Sequence, residues 1–100
     1  MLELNDTNFE EETSKGTVII DFFAPWCGPC QMMAPIFEEL SSEVEGIKFA
    51  KVNTQDNQNL AQKFAVMSIP CFIILKDGKE TDRIIGGMPK DVLKEKLENI

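Results

Sequence analysis

The sequence predicts an α/β sandwich: one mixed sheet with helices on both faces. Three observations predict it. Strand-like and helix-like patterns alternate from Gly16 to Ala65. The first strand pattern, TVIIDFFA at Thr17 to Ala24, is apolar almost throughout, as a strand covered by helices on both faces should be. Finally, an Asp77-Gly78 hairpin and an amphipathic helix follow in the last third of the chain.

Each element has a local reason. Thr7 followed three positions later by Glu10 reads as a capping box, so a short helix is expected from there to about Lys15, ended by Gly16. The strand Thr17 to Ala24 is bounded by Gly16 and Pro25. Asp21 interrupts it, where a carboxylate is costly unless paired or protonated. Gly28 to Val44 reads as a long helix: Met33, Phe37, Leu40 and Val44, with Ile36 beside them, keep helical spacing, and Glu38, Glu39 and Glu43 lie off that stripe. Pro35 in its interior removes a donor and is expected to kink the axis. A strand over Ile47 to Asn53 and a helix around Asn59 to Ala65 come next. The strands Cys71 to Lys76 and Glu80 to Ile85 form the hairpin, and Gly86 and Gly87 follow. Pro89 opens the last helix, with Val92, Leu93 and Leu97 apolar, ending near Asn99.

Bulk properties narrow the function. One hundred residues suit a single domain, residues 1–100, and 43% hydrophobic with 27% charged residues suits a globular core. The net charge of −7 and ten scattered basic residues argue against a nucleic-acid or anionic-membrane surface. No window approaches the roughly 18 apolar residues of a membrane-spanning helix. MLELNDTNFEEE has neither a basic n-region nor an apolar h-region, so no secretory signal is expected. The expectation is a cytoplasmic protein, although a mature exported chain would share these features.

The chemistry lies in the cysteines: Cys27, Cys30 and Cys71. Cys27 stands where a central strand hands over to a helix, and the free amides there favour a thiolate. Cys30 is one helical turn further on. A disulfide between them closes a very small loop and stabilises the fold weakly, which suits repeated breaking better than stapling. Pro29 stiffens the turn, and Gly28 is expected to let the backbone pass close. The alternative is a metal knuckle. Structural zinc wants four ligands, and this chain has no His and one further Cys, so carboxylates or a second chain would have to complete the site.

WCGPC at Trp26 to Cys30, preceded by VIIDFFAP, resembles the thioredoxin active site. The likeness covers essentially the whole chain: Asp21 before the motif, Pro35 after it, KVN at Lys51 to Asn53, SIP at Ser68 to Pro70, the KDGK turn, and IGG at Ile85 to Gly87. It implies the thioredoxin fold, with about five strands and about four helices, and a protein-disulfide reductase that needs no cofactor and no metal. Similarity makes Cys27 the exposed nucleophile and Cys30 the thiol that resolves the mixed disulfide, leaving a Cys27–Cys30 disulfide for a thioredoxin reductase to reduce. Asp21 would be the buried acid that helps deprotonate Cys30, with Lys51 as its buried lysine. The simpler alternative is an Asp21 that merely pairs with Lys51. Pro70 matches the family's cis-proline, which would present the Ile69 backbone beside Cys27. Trp26, Gly28, Pro29, Met67, Ser68, Ile69, Pro70, Ile85, Gly86 and Gly87 would meet disulfide-containing client proteins. A monomer is the default expectation.

Three departures stand out. Cys71 replaces a residue that is often Thr, and is expected near the redox pair, either as a small packing residue or as an auxiliary thiol. Gln31 replaces a commonly basic residue and removes a charge beside the motif. Phe23 stands where many thioredoxins have a second Trp, which leaves Trp26 as the one tryptophan and a clean fluorescence reporter. Two other functions compete: a glutaredoxin-like glutathione user, for which the dipeptide and the basic groups are wrong, and a binding module whose redox chemistry is incidental.

Overall fold

A computed structural model describes all 100 residues, arranged as β1 (Leu2–Glu3), α1 (Phe9–Thr13), β2 (Thr17–Phe23), α2 (Gly28–Glu43), β3 (Lys48–Asn53), α3 (Gln58–Lys63), β4 (Cys71–Lys76), β5 (Lys79–Ile85) and α4 (Lys90–Glu98). The sheet has the order β1-β3-β2-β4-β5. β1, β3 and β2 run parallel, while β4 and β5 are antiparallel to their neighbours. The expected mixed sheet of five strands with four helices is therefore observed.

β2 and β4 form the middle of the sheet, and alternation along them divides the core. Val18, Ile20, Phe22, Cys71, Ile73 and Leu75 face one side, where Phe9 of α1 and Leu60 of α3 cover them. Ile19, Phe72 and Ile74 face the other, under Met33, Phe37 and Leu40 of α2 and Leu93 and Leu97 of α4. Both layers are apolar, so neither face of β2 can tolerate a charge cheaply. Each fully buried Leu, Ile or Phe contributes roughly 1.5–3 kcal/mol. Phe37 adds tilted ring contacts with Phe49 at 5.0 Å and Phe72 at 5.6 Å.

Two expectations need correction. Leu2–Glu3 is a strand that the sequence pattern does not show; Leu2 pairs with Ala50 and Glu3 with Lys51. The capping box at Thr7 and Glu10 does not form. Instead Asn5 and Asn8 cap each other: Asn5 Oδ1 accepts from the Thr7 and Asn8 amides at 2.8 and 3.0 Å, and Asn8 Oδ1 accepts from the Asn5 amide at 2.8 Å. Short amide side chains reach local backbone donors with little ordering cost and so win the competition. Pro35 lies inside an unbroken α2. At the hairpin Asp77 and Gly78 both have positive φ, 50° and 85°, as a type I′ turn requires. Asp77 Oδ1 also accepts from the Gly16 amide at 2.8 Å, which ties the hairpin to the turn before β2.

Neither edge of the sheet is a long apolar strand. β1 has two residues, and β5 carries Lys79, Glu80, Asp82 and Arg83. No helix is long and apolar enough to cross a membrane.

Candidate active site

The parallel strand β2 ends at Phe23, and the chain turns through Pro25 and Trp26 into the first turn of α2. This places Cys27 at the N-cap of α2 with extended φ and ψ of −87° and 113°. Its sulfur accepts from the Cys30 amide at 3.2 Å, one of the orphan donors of a helix start. The two cysteine Cα atoms are 5.2 Å apart and the sulfurs are bonded to each other. Pro29 sits at the first helical positions, where its missing N–H costs nothing. The Gln31 side chain donates to the Pro25 carbonyl at 2.7 Å and pins the approach to the helix.

Ile69–Pro70 is a cis peptide, and the Ile69 carbonyl oxygen lies 3.9 Å from the Cys27 sulfur. Trp26, next to Cys27, is 73% exposed; Met67, two residues before Ile69, is 92% exposed and Ile85, before Gly86, 60%, so these large apolar side chains form a rim open to solvent. Ser68 and Gly87 are exposed beside it. Gly86 has φ of 95°, which a residue with a Cβ would resist, and its amide donates to the Pro70 carbonyl at 2.9 Å. The structure thus brings Trp26, Cys27, Ile69 and Pro70 together at the end of β2, with Gly86 tied to Pro70.

The structure revises three sequence expectations at the site. Cys27 is not conspicuously exposed: the residue is 5% accessible and Cys30 3%, and the pair packs with Ala24, Phe23 and Ile69. Gly28 is not a point of close approach within the chain. A Cβ there would meet nothing within 4 Å, so the open space lies outward. Cys71 is 1% exposed and packs with Phe22, Val52 and Leu60 under α1 and α3. Asp21 is one step out of phase with Phe22, Cys71's register partner, and therefore points to the opposite, α2-covered face. Burial pushes the Cys71 thiol above its ordinary range.

Asp21 is 4% exposed, and its Oδ1 has no hydrogen-bond partner. Desolvation raises its pKa from 3.8 to about 7, against the lowering pull of Lys51. Lys51 is its register neighbour on β3, yet the two form no direct ion pair; the ammonium lies 5.7 Å from the centre of the Phe23 ring. Asp21, Lys51 and Cys30 all line one cleft of about 210 Å³ beneath the disulfide. A carboxyl poised near neutrality in the same cleft as the inner sulfur can hold or release a proton there. Sequence reasoning missed Arg83, whose guanidinium donates to the Phe64 carbonyl at 2.6 Å, at the start of the loop leading to Met67; its targets are backbone carbonyls, which a sequence does not mark. No group of three or more Cys, Asp or Glu side chains converges as a metal site.

The family description Thioredoxin matches residues 1–99. The chain belongs to the thioredoxin family. It is 45% identical over 96 residues to the thioredoxin of Bacillus subtilis (strain 168), covering 95% of this chain and 92% of that one. With the thioredoxin of Listeria monocytogenes serovar 1/2a it shares 47% identity over 94 residues, 93% of this chain and 91% of the relative. In structure it is similar to a point mutant of the thioredoxin from Halobacterium salinarum NRC-1, with a TM-score of 0.88 and 31% identity, over 98% of this chain and 88% of that one. Cys27 and Cys30 are the redox-active pair of this thioredoxin, a dithiol–disulfide oxidoreductase. Members of the family act on disulfide substrates and are recharged by a reductase.

Proposed function

We propose that this thioredoxin reduces protein disulfides in the cytoplasm as a single monomeric domain, with Cys27 as nucleophile, and that a thioredoxin reductase restores it. One observation carries the assignment: Cys27 is the helix N-cap, with the Cys30 amide aimed at its sulfur. That environment favours the thiolate at Cys27 over Cys30, which lies inside the helix.

The chemistry then runs in two exchanges. The Cys27 thiolate attacks one sulfur of the client disulfide, forming a mixed disulfide and expelling the other client sulfur as a thiolate, which takes a proton from water. Cys30 gives its proton to the Asp21 carboxylate and attacks Cys27. The second client sulfur leaves and is protonated, and the Cys27–Cys30 disulfide forms. Two electrons and two protons from the reductase close the cycle. Asp21 suits its part because its pKa of about 7 lets it accept and return a proton near neutrality, with Lys51 limiting how far burial raises it. No cofactor enters these steps.

The client docks on the apolar rim. Its extended backbone pairs with Ile69, beside Pro70, while Trp26, Gly28, Pro29, Met67, Ser68, Ile85, Gly86 and Gly87 contact its side chains. Cys71 serves packing: its place among Phe22, Val52 and Leu60 supports a structural part rather than an auxiliary thiol. The test is insulin reduction driven by dithiothreitol. Wild type and Cys71→Ser should both accelerate precipitation, and Cys27→Ser should not. Cys30→Ser should accumulate a mixed disulfide through Cys27. Adducts through residue 30 in Cys27→Ser instead, with activity kept, would reverse the assignment.

A further inference from the structure

The segment Val66–Pro70, which carries Met67 and Ile69, hangs between two anchors, one in β5 and one just past its end. At its far end the Gly86 amide donates to the Pro70 carbonyl at 2.9 Å. At its near end the Arg83 guanidinium donates to the Phe64 carbonyl at 2.6 Å and to the Ala65 carbonyl at 3.4 Å. These carbonyls close α3, where a helix leaves acceptors unpaired and favours a positive charge. Ala65 has φ of 51°, an unusual conformation for a residue with a Cβ, and it turns the chain out of α3 toward Met67. The guanidinium is itself held as a fork: Nε and Nη2 donate to the two oxygens of Glu80 at 2.8 and 2.9 Å. Glu80, Arg83, Phe64 and Ala65 thus form one chain of contacts reaching from the outer strand to the loop. Arg83 makes no hydrogen bond to Cys27, Cys30 or Asp21, so its influence on the reaction runs through the loop.

We propose that Arg83 is a positioning residue for disulfide exchange: by gripping the Phe64 and Ala65 carbonyls it fixes where Met67 and Ile69 stand beside Cys27, and so how tightly a client disulfide docks. A planar fork with several donors can bind two carbonyls and a carboxylate together, which a lysine cannot. The proposal rests on the docking role of Met67 and Ile69 given under Proposed function.

The experiment compares wild type, Arg83→Gln, Arg83→Lys and Glu80→Gln. Single-turnover oxidation of the reduced protein by insulin, followed by Trp26 fluorescence, gives a limiting rate and a half-saturating concentration. Amide exchange of Val66, which donates to the Ala61 carbonyl, and of Gly86, which donates to the Pro70 carbonyl, reports the loop at its two ends, and iodoacetamide alkylation across pH reports Cys27 itself. In Arg83→Gln the loop amides should exchange faster and half-saturation should rise about tenfold, while the limiting rate stays within about twofold. The alkylation rate and its pH midpoint should not move. Arg83→Lys should restore little, and Glu80→Gln should shift the same readouts less. If Arg83→Gln does not fold, Glu80→Gln decides by the same readouts. Unchanged loop exchange in the folded variant would overturn the clamp. Faster exchange with unchanged half-saturation would instead overturn the docking role, and Met67→Ala would then leave half-saturation unchanged too. A parallel fall in limiting rate and alkylation would assign Arg83 to the thiol rather than the loop and reject the proposal.

Discussion

Replacing Asp21 with Asn should stabilise the oxidised protein by an amount that grows with pH. Burial raises the Asp21 pKa in the folded chain from 3.8 to about 7. Between those values the folded state holds a proton that the unfolded state has released. Stability therefore falls as pH rises through this window, and the loss is complete above about 7. A difference of about three pKa units corresponds to about 4 kcal/mol. Roughly 1.5 kcal/mol of this is present at about pH 5, and nearly all of it at about pH 8.5. The advantage of Asp21→Asn should thus grow by about 2.5 kcal/mol between those two pH values. Any cost of burying the amide is constant across the range and cancels. The assay is equilibrium guanidinium unfolding of both proteins, kept oxidised so that Cys27 and Cys30 do not titrate, with equal m-values as the check that one transition is compared. Every other carboxylate is common to the two chains. If the stability difference stays flat from about pH 5 to pH 8.5, Asp21 is not a desolvated acid titrating near 7, and its part in proton transfer goes with it.

The proton transfer proposed for Asp21 makes a second prediction. Asp21→Asn should slow the attack of Cys30 on a preformed mixed disulfide near neutral pH, seen by stopped-flow Trp26 fluorescence; unchanged resolution would remove the acid from the mechanism. Lys51→Met takes away the charge that lowers the Asp21 pKa, so its carboxyl should titrate above about 7 when followed by carbon NMR. Asp77→Ala loses the 2.8 Å bond from the Gly16 amide and places Ala at a φ of 50°, which should cost about 2 kcal/mol in denaturant unfolding, with Asp77→Gly recovering part of it. In the native oxidised protein Cys71 should resist iodoacetamide until the chain unfolds, as burial of its thiol requires; rapid labelling would show that β4 opens locally.

Much of this molecule is legible in its sequence because the strongest signals are local. Cys27 and Cys30 stand at a strand-to-helix junction that the apolar run and Pro29 announce, and Asp21 betrays itself as a charge among β-branched neighbours. What stayed hidden depends on pairing across distance or on parity. Leu2 and Glu3 are too few to show a period and become a strand only because Ala50 and Lys51 lie alongside. Cys71 follows Pro70 directly, yet its position in the register turns the thiol to the face opposite Asp21, and a shift of one residue would have reversed it. The Asn5–Asn8 cap won over Thr7 and Glu10 through a competition of short side chains that spacing rules do not rank. Arg83 sits among the charges of β5, indistinguishable from Lys79 until its carbonyl partners are seen.

The sheet's two margins have a consequence for life in a crowded solution. A carrier that recognises extended segments runs a standing risk of recognising itself. A two-residue strand offers too little backbone to template another copy, and mixed charges along Lys79–Arg83 discourage strand stacking. Ile69 is different: its carbonyl lies 3.9 Å from the Cys27 sulfur, just outside the start of β4. In the proposed docking mode affinity there would come in small instalments, enough to hold a client for one exchange and too little to keep it. On that reading, turnover among clients would follow from how little strand the protein leaves unpaired.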